Sequence, residues 1–145
     1  MPDFELGILD QEVRFTQEDL RGKVTLVAFW ASWCGPCRRE LPALEPLHNE
    51  LSERGFQVVA VNVDRNPALA RKFLGGHTPA YPVVLDPDSA LMGHFDVVAM
   101  PTSVLVDSNL AVVSRHEGYS EERLAEVREE IESLLSIDAS SGGAQ

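Results

Sequence analysis

The sequence has few residues from which a metal site or a disulfide framework could be built. It contains two cysteines, Cys34 and Cys37, and four histidines. A structural zinc site usually draws on a second ligand pair, but there is no second cysteine pair and no two histidines have the H-x₃₋₅-H spacing. A scaffold held by several disulfides is excluded for the same reason. We therefore expect no metal site, and the two cysteines remain available for chemistry.

Positive charge is also scarce. The chain has 12 Lys and Arg against 23 Asp and Glu, a formal net charge of −11. This balance argues against nucleic acid or an anionic membrane as a partner. No apolar run approaches the length of a membrane helix, so we expect no membrane span. The segment from Met1 to Glu5 lacks the basic and apolar regions of a signal peptide.

The centre of the sequence is an apolar segment that leads directly into the cysteine pair. Residues 24–30 are apolar apart from Thr25 and include β-branched and aromatic side chains. The segment is short enough for a strand covered on both faces. Cys34 and Cys37 then flank Gly35 and Pro36, a spacing that lets the two sulfurs meet within one helical turn. A C-x-x-C between a buried strand and a helix is typical of a reversible, redox-active disulfide.

The position of Cys34 favours a reactive thiol. Thiol–disulfide exchange is driven by the thiolate, and unpaired N–H groups at the start of a helix stabilise negative charge. Pro36 suits the first helical turn, and Arg38 and Arg39 add positive charge nearby. We therefore predict that Cys34 has a lowered pKa and attacks first, and that Cys37 resolves the mixed disulfide.

The rest of the chain alternates strand and helix patterns, which predicts an α/β fold. At 145 residues it suits a single domain, for which we predict bounds of 1–137, with a disordered tail at 138–145. We expect a parallel, right-handed strand–helix–strand unit around the cysteines. The predicted strands are a hairpin or edge strand within 4–20 and strands at 24–30, 57–63, 81–86, within 97–107 and at 111–116; the predicted helices are 36–54, within 64–74, 89–95 and one after Gly118.

Several motifs together resemble the thioredoxin superfamily. They are Trp-Cys-Gly-Pro-Cys at 33–37, the helix proline Pro42, and Met-Pro-Thr at 100–102. The N-terminal hairpin, the continuation at 38–42 and the inserted strand and helix at about 74–95 are similar to the TlpA/ResA-type thiol–disulfide oxidoreductases. The resemblance implies a thioredoxin-like fold: a central mixed sheet with helices on both faces, an N-terminal hairpin extension and an inserted strand-helix element.

The same resemblance implies where and on what the protein acts. Such enzymes are typically extracytoplasmic and often membrane-tethered, and several act in cytochrome c maturation. It implies a periplasmic or extracytoplasmic location with a leader or anchor outside this chain, the alternative being the cytoplasm. It also implies a role in cytochrome c maturation or in extracytoplasmic thiol homeostasis.

Pro101 is implied to be cis and to face the cysteine pair. A cis proline presents the backbone of Met100 for strand-like pairing with a substrate peptide. The alternative is an ordinary trans proline at the start of a strand. The substrate-binding residues expected from the motifs are Trp33, Gly35, Pro36, Met100, Pro101 and Thr102.

Glu40 has two interpretations. It matches a carboxylate that the TlpA/ResA-type enzymes use near the active site, and on a helix it shares a face with Cys37, so it could accept a proton when Cys37 attacks. Alternatively, it is a surface residue paired with Arg38 or Arg39. Thioredoxins proper carry a buried acid in the preceding strand, where this chain has Ala28. Glu40 is the nearest substitute in the sequence.

The predicted function is therefore thiol–disulfide exchange, most simply the reduction of disulfides in protein substrates, by a monomer without metal or organic cofactor. A separate electron-donor protein must reduce the enzyme. One alternative is a thiol peroxidase of the peroxiredoxin type, although Ala31 occupies the position of the threonine that such a site requires. Another is a metal-binding or chaperone module that holds Cu(I) or Zn²⁺ with the two cysteines.

Overall fold

The protein folds around one mixed sheet. The computed structural model describes residues 3–143, and within this range the sheet has seven strands with helices on both faces. This confirms the α/β, thioredoxin-like architecture that the motifs imply. The strands are β1 (Glu5–Ile8), β2 (Arg14–Thr16), β3 (Val24–Trp30), β4 (Phe56–Asn62), β5 (Val83–Leu85), β6 (Thr102–Val106) and β7 (Val112–Glu117); the helices are α1 (Cys37–Leu51), α2 (Ala68–Leu74), α3 (Ala90–His94) and α4 (Glu121–Gly143).

Strand β3 lies inside the sheet. The strand order is β2-β1-β5-β4-β3-β6-β7, so β3 pairs with β4 in parallel and with β6 antiparallel. Every residue of β3 is buried, because α1 and α4 cover one face of the sheet and α3 packs on the other. This arrangement explains why 24–30 is continuously apolar rather than alternating. The predicted parallel unit β3–α1–β4 is confirmed.

Helix α1 packs its leucines against the sheet. Leu41, Leu44, Leu47 and Leu51 are all buried in one core cluster with the even-numbered residues of β3. A 3₁₀ turn at Ser52–Arg54 follows, and Gly55 ends the segment with a left-handed φ of 93°. His48 accepts a hydrogen bond from the Val58 N–H at 3.0 Å and ties the helix to β4.

The N-terminal hairpin and the inserted element extend one side of the sheet. β1 pairs antiparallel with β2 and with β5, and β5 pairs in parallel with β4. The carboxylate of Asp86 accepts hydrogen bonds from the N–H groups of Ala90, Leu91 and Met92 and so begins α3. The predicted extension and insertion are confirmed.

Helix α4 packs against the sheet through one apolar face. Val127, Ile131 and Leu135 are buried there, as the apolar spacing indicates. The helical backbone runs to Gly143. Residues 144 and 145 lie outside the described residues, and the domain bounds of 1–137 with a disordered tail at 138–145 stay a prediction.

Between residues 3 and 143, no helix is both long and apolar enough to cross a membrane.

Candidate active site

The two cysteines lie where the central strand passes into helix α1. β3 ends at Trp30, four residues later comes Cys34, and Cys37 is the first residue of α1. The two sulfurs form a disulfide, and the Cα atoms are 5.4 Å apart. The helix therefore begins at Cys37, and Cys34 lies just before its first turn.

The loop before Cys34 is held by Asp64, at the end of the neighbouring strand. Its carboxylate accepts hydrogen bonds from the Ser32 N–H at 2.9 Å and the Ser32 hydroxyl at 2.8 Å. The side-chain amide of Asn62 donates to the same carboxylate at 2.9 Å. Both residues are buried, so these bonds are shielded from water. Sequence reasoning missed this contact, although β3 and β4 were predicted to be parallel and parallel strands end at one edge.

The two cysteines differ in accessibility. Cys34 is 4% exposed and Cys37 is completely buried, while the neighbouring Trp33 is 69% exposed. Gly35 and Pro36 are exposed between the cysteines. An incoming disulfide can therefore approach only Cys34, beside a projecting indole ring.

The positive charge next to the pair is not neutralised by an ion pair. Arg38 and Arg39 are exposed, and neither forms a salt bridge with a carboxylate among residues 3–137. The Arg38 guanidinium lies 4.7 Å from the ring centre of Phe73, a cation–π contact. Two cationic residues therefore follow Cys37 directly in the first turn of α1.

The Met100–Pro101 peptide bond is cis, at the same edge of the sheet as the cysteines. Thr102 pairs with Phe29 across β6 and β3, which places this segment beside the end of β3. Met100 is half-buried and packs against the core cluster that contains both cysteines. Thr102 is buried, and its hydroxyl donates to the Ala99 carbonyl at 2.7 Å, so it fixes the turn before β6.

The exposed apolar residue of this segment is one that the motifs did not indicate. Val98 is 86% exposed, two residues before Met100, whereas Pro101 is buried. Trp33 and Val98 are large apolar side chains open to solvent in the two loops that adjoin the cysteine motif and the Met-Pro-Thr motif.

Glu40 is buried on the inner side of α1. It is 5% exposed, and its Oε1 atom has no hydrogen-bond partner among the described residues. Burial raises the pKa of this carboxyl from the ordinary 4.5 to about 7. The surface interpretation, with Glu40 paired to Arg38 or Arg39, is wrong, because the side chain faces the core.

Within the part of the chain that the structure describes, no three His, Cys, Asp or Glu side chains cluster closely enough to hold a metal. Ala31, at the position where a peroxidase would require threonine, is buried and carries no hydroxyl.

Comparison with known proteins places the chain in a family. The family model described as Redoxin matches residues 1–134. The thiol-disulfide oxidoreductase ResA of Bacillus cereus is 29% identical over 114 residues, which are 79% of this chain and 65% of that protein. The chain thus spans less than two thirds of the length of this relative.

Two solved structures are similar over most of their length. One is a candidate thiol:disulfide interchange protein DsbE from Chlorobium tepidum, with a TM-score of 0.86 and 35% identity, covering 92% of this chain and 94% of that one. The other is the exposed lipoprotein thioredoxin Etrx1 of Streptococcus pneumoniae, with a TM-score of 0.76 and 26% identity, covering 89% and 99%.

The contact between Asp64 and the loop predicts a stability change. Asp64→Ala removes the acceptor of the Ser32 N–H and is expected to lower the free energy of unfolding by about 1–3 kcal/mol. Urea denaturation of the oxidised protein measures this. Asp88→Ala, at an exposed aspartate, is the control and is expected to change it by less than about 0.5 kcal/mol. Equal effects of the two substitutions would contradict the assignment.

The raised pKa of Glu40 predicts a pH dependence of stability. The folded state holds this proton up to about pH 7, whereas the unfolded chain releases it near 4.5. The contribution is therefore present below pH 4.5 and is lost as the pH rises through 7, by an amount on the order of 3 kcal/mol. Urea denaturation between pH 4.5 and 7 measures the free energy of unfolding of the oxidised parent protein and of the oxidised Glu40→Gln variant. The difference between the two proteins is expected to change with pH. If this difference were the same at every pH, the pKa of Glu40 would not be raised.

Proposed function

This chain belongs to the redoxin family, and we propose that it is a thiol–disulfide oxidoreductase that reduces disulfides in protein substrates. The observation that carries the proposal is the Cys34–Cys37 disulfide at the junction of β3 and α1. The relatives named as thiol-disulfide oxidoreductase and as thiol:disulfide interchange protein support the same activity.

The first step belongs to Cys34. In the reduced protein its thiolate attacks one sulfur of the substrate disulfide, a mixed disulfide forms, and the other substrate sulfur leaves as a thiolate. Its partial exposure supports this role, since Cys37 is fully buried. The start of α1 and the cations of Arg38 and Arg39 stabilise the negative sulfur before the attack.

The second step requires a proton to leave Cys37. Its thiolate attacks Cys34, which restores the internal disulfide and releases the second substrate sulfur. Glu40 is one turn along α1 from Cys37, and its buried carboxyl has a pKa of about 7, well suited to accept that proton near neutral pH. We assign Glu40 as the general base of this step.

The proposed substrate surface surrounds the cysteine pair. Trp33 and Val98 supply exposed apolar area, Gly35 and Pro36 are exposed between the two cysteines, and the Met100–Pro101 segment adjoins the end of β3. The buried Thr102 hydroxyl fixes this segment through its hydrogen bond to the Ala99 carbonyl. The chemistry needs no metal or organic cofactor, because the dithiol carries both electrons. A separate dithiol protein must return them.

The proposed location is extracytoplasmic, where substrates are disulfide-bonded. The pneumococcal structure described as an exposed lipoprotein thioredoxin supports this location. Proteins of cytochrome c maturation, or of extracytoplasmic thiol homeostasis, are the proposed substrate class.

With a net charge of −11, the protein is expected to act as a monomer and to favour partners with neutral or basic surfaces.

Substitution of each cysteine distinguishes their roles. Cys34→Ser is expected to abolish reduction of insulin disulfides, because no accessible thiol remains. Cys37→Ser is expected to leave the first step intact and to accumulate mixed disulfides, which mass spectrometry detects before and after treatment with dithiothreitol. Insulin reduction at the parental rate by Cys34→Ser would refute the mechanism.

A further inference from the structure

Glu40 needs a route by which its proton reaches solvent. Glu40 can accept the proton of Cys37 only after its own proton has left for the solvent, yet the residue is 5% exposed and its Oε1 atom has no partner among the described residues. The covering groups therefore determine how the proton is exchanged.

A row of three residues crosses the sheet on the side where Glu40 lies. Ala28 in β3 pairs with Ser103 in β6, and Ser103 pairs with His116 in β7. Residues directly opposite in neighbouring strands point to the same face, with Cβ atoms about 5 Å apart. Ala28 is in the core cluster that contains α1 and α4, so this row faces those two helices.

Glu40 and His116 line one cavity. Its volume is about 10 Å³, close to the minimum that admits a water molecule. Ser103 and Tyr119 also line it, and they can hydrogen-bond to a water there. A single water in this cavity can thus connect the carboxyl of Glu40 on α1 with the imidazole of His116 on β7.

His116 is connected on its other side to the surface of α4. Its Nε2 atom lies 2.5 Å from Glu130 Oε1, and the two side chains are 13% and 37% exposed. The Ser114 hydroxyl donates to the same carboxylate oxygen at 3.2 Å. The groups that face His116 are therefore Glu130 and Arg123 from α4, Glu40 from α1, Ser103 from β6, Ser114 from its own strand, and Tyr119 from the turn before α4.

We propose that His116 is the proton-exchange residue for Glu40, carrying the proton between the one-water cavity and the solvent at Glu130. This rests on the proposed function. When Cys37 closes the disulfide, its proton passes to Glu40, then through the cavity to one ring nitrogen of His116. The other ring nitrogen gives up a proton toward Glu130 and the solvent, so the ring returns to its neutral form. No electron transfer is involved, and His116 does not contact the substrate.

Rapid mixing of the reduced protein with increasing concentrations of oxidised glutathione separates the two steps. Tryptophan fluorescence, to which Trp30 and Trp33 both contribute, is the signal. At low concentration the rate reports attack by Cys34, and at saturation it reports closure by Cys37. His116→Asn is expected to leave the low-concentration slope unchanged and to lower the saturating rate at pH 7 by about tenfold, within the range that general acid–base groups contribute. Glu130→Gln, on the half-exposed face of α4, is expected to lower the same rate.

Two comparisons show whether the effect passes through Glu40. His94→Asn, on the opposite side of the sheet, is the matched control and is expected to retain both rates. In the Glu40→Gln background, His116→Asn is expected to cause no further loss, since the acceptor is already gone. A wild-type saturating rate in His116→Asn, or an undiminished further loss in the Glu40→Gln background, would overturn the proposal. If the proposed function were wrong, the observed rate of the parent protein would not rise with the concentration of oxidised glutathione.

Discussion

The position of the disulfide depends on the burial of β3 on both faces. Because β3 is fixed between β4 and β6, the position of its C-terminal end determines where the following loop and the start of α1 lie. Asp64, at the end of the parallel neighbour, then holds the intervening loop through Ser32. The reactive turn is therefore anchored from two strands, and the two sulfurs need little additional ordering to meet.

Burial also explains how the site handles protons. A carboxyl in the core favours its neutral form, which moves the titration of Glu40 to near neutral pH. In this chain the acid comes from α1, three residues after Cys37, while β3 supplies the small Ala28. Ser103 lies beside Ala28 in the sheet, and His116 lies beside Ser103 on the next strand. This part of the sheet therefore carries two polar side chains in line with Ala28.

The fold could be predicted largely from local pattern. The continuous apolar run of β3, the leucine spacing of α1 and the C-x-x-C between them indicate a strand, a helix and a redox site without tertiary information. Long-range contacts could not be predicted in this way. Neither the bonds of Asp64 nor the row from Ala28 to His116 has a signature in the sequence, because each depends on which strands are neighbours and in which register.

The proposed chemistry depends on the ionisation of Cys34 near neutral pH in the reduced protein. The measurement is the rate of alkylation of the reduced protein by iodoacetamide as a function of pH, with peptide mass spectrometry to locate the label. Cys34 is expected to be labelled first, with an apparent pKa clearly below the value of about 8.5 for a free cysteine. Labelling of both thiols with the rate and pKa of free cysteine would contradict it.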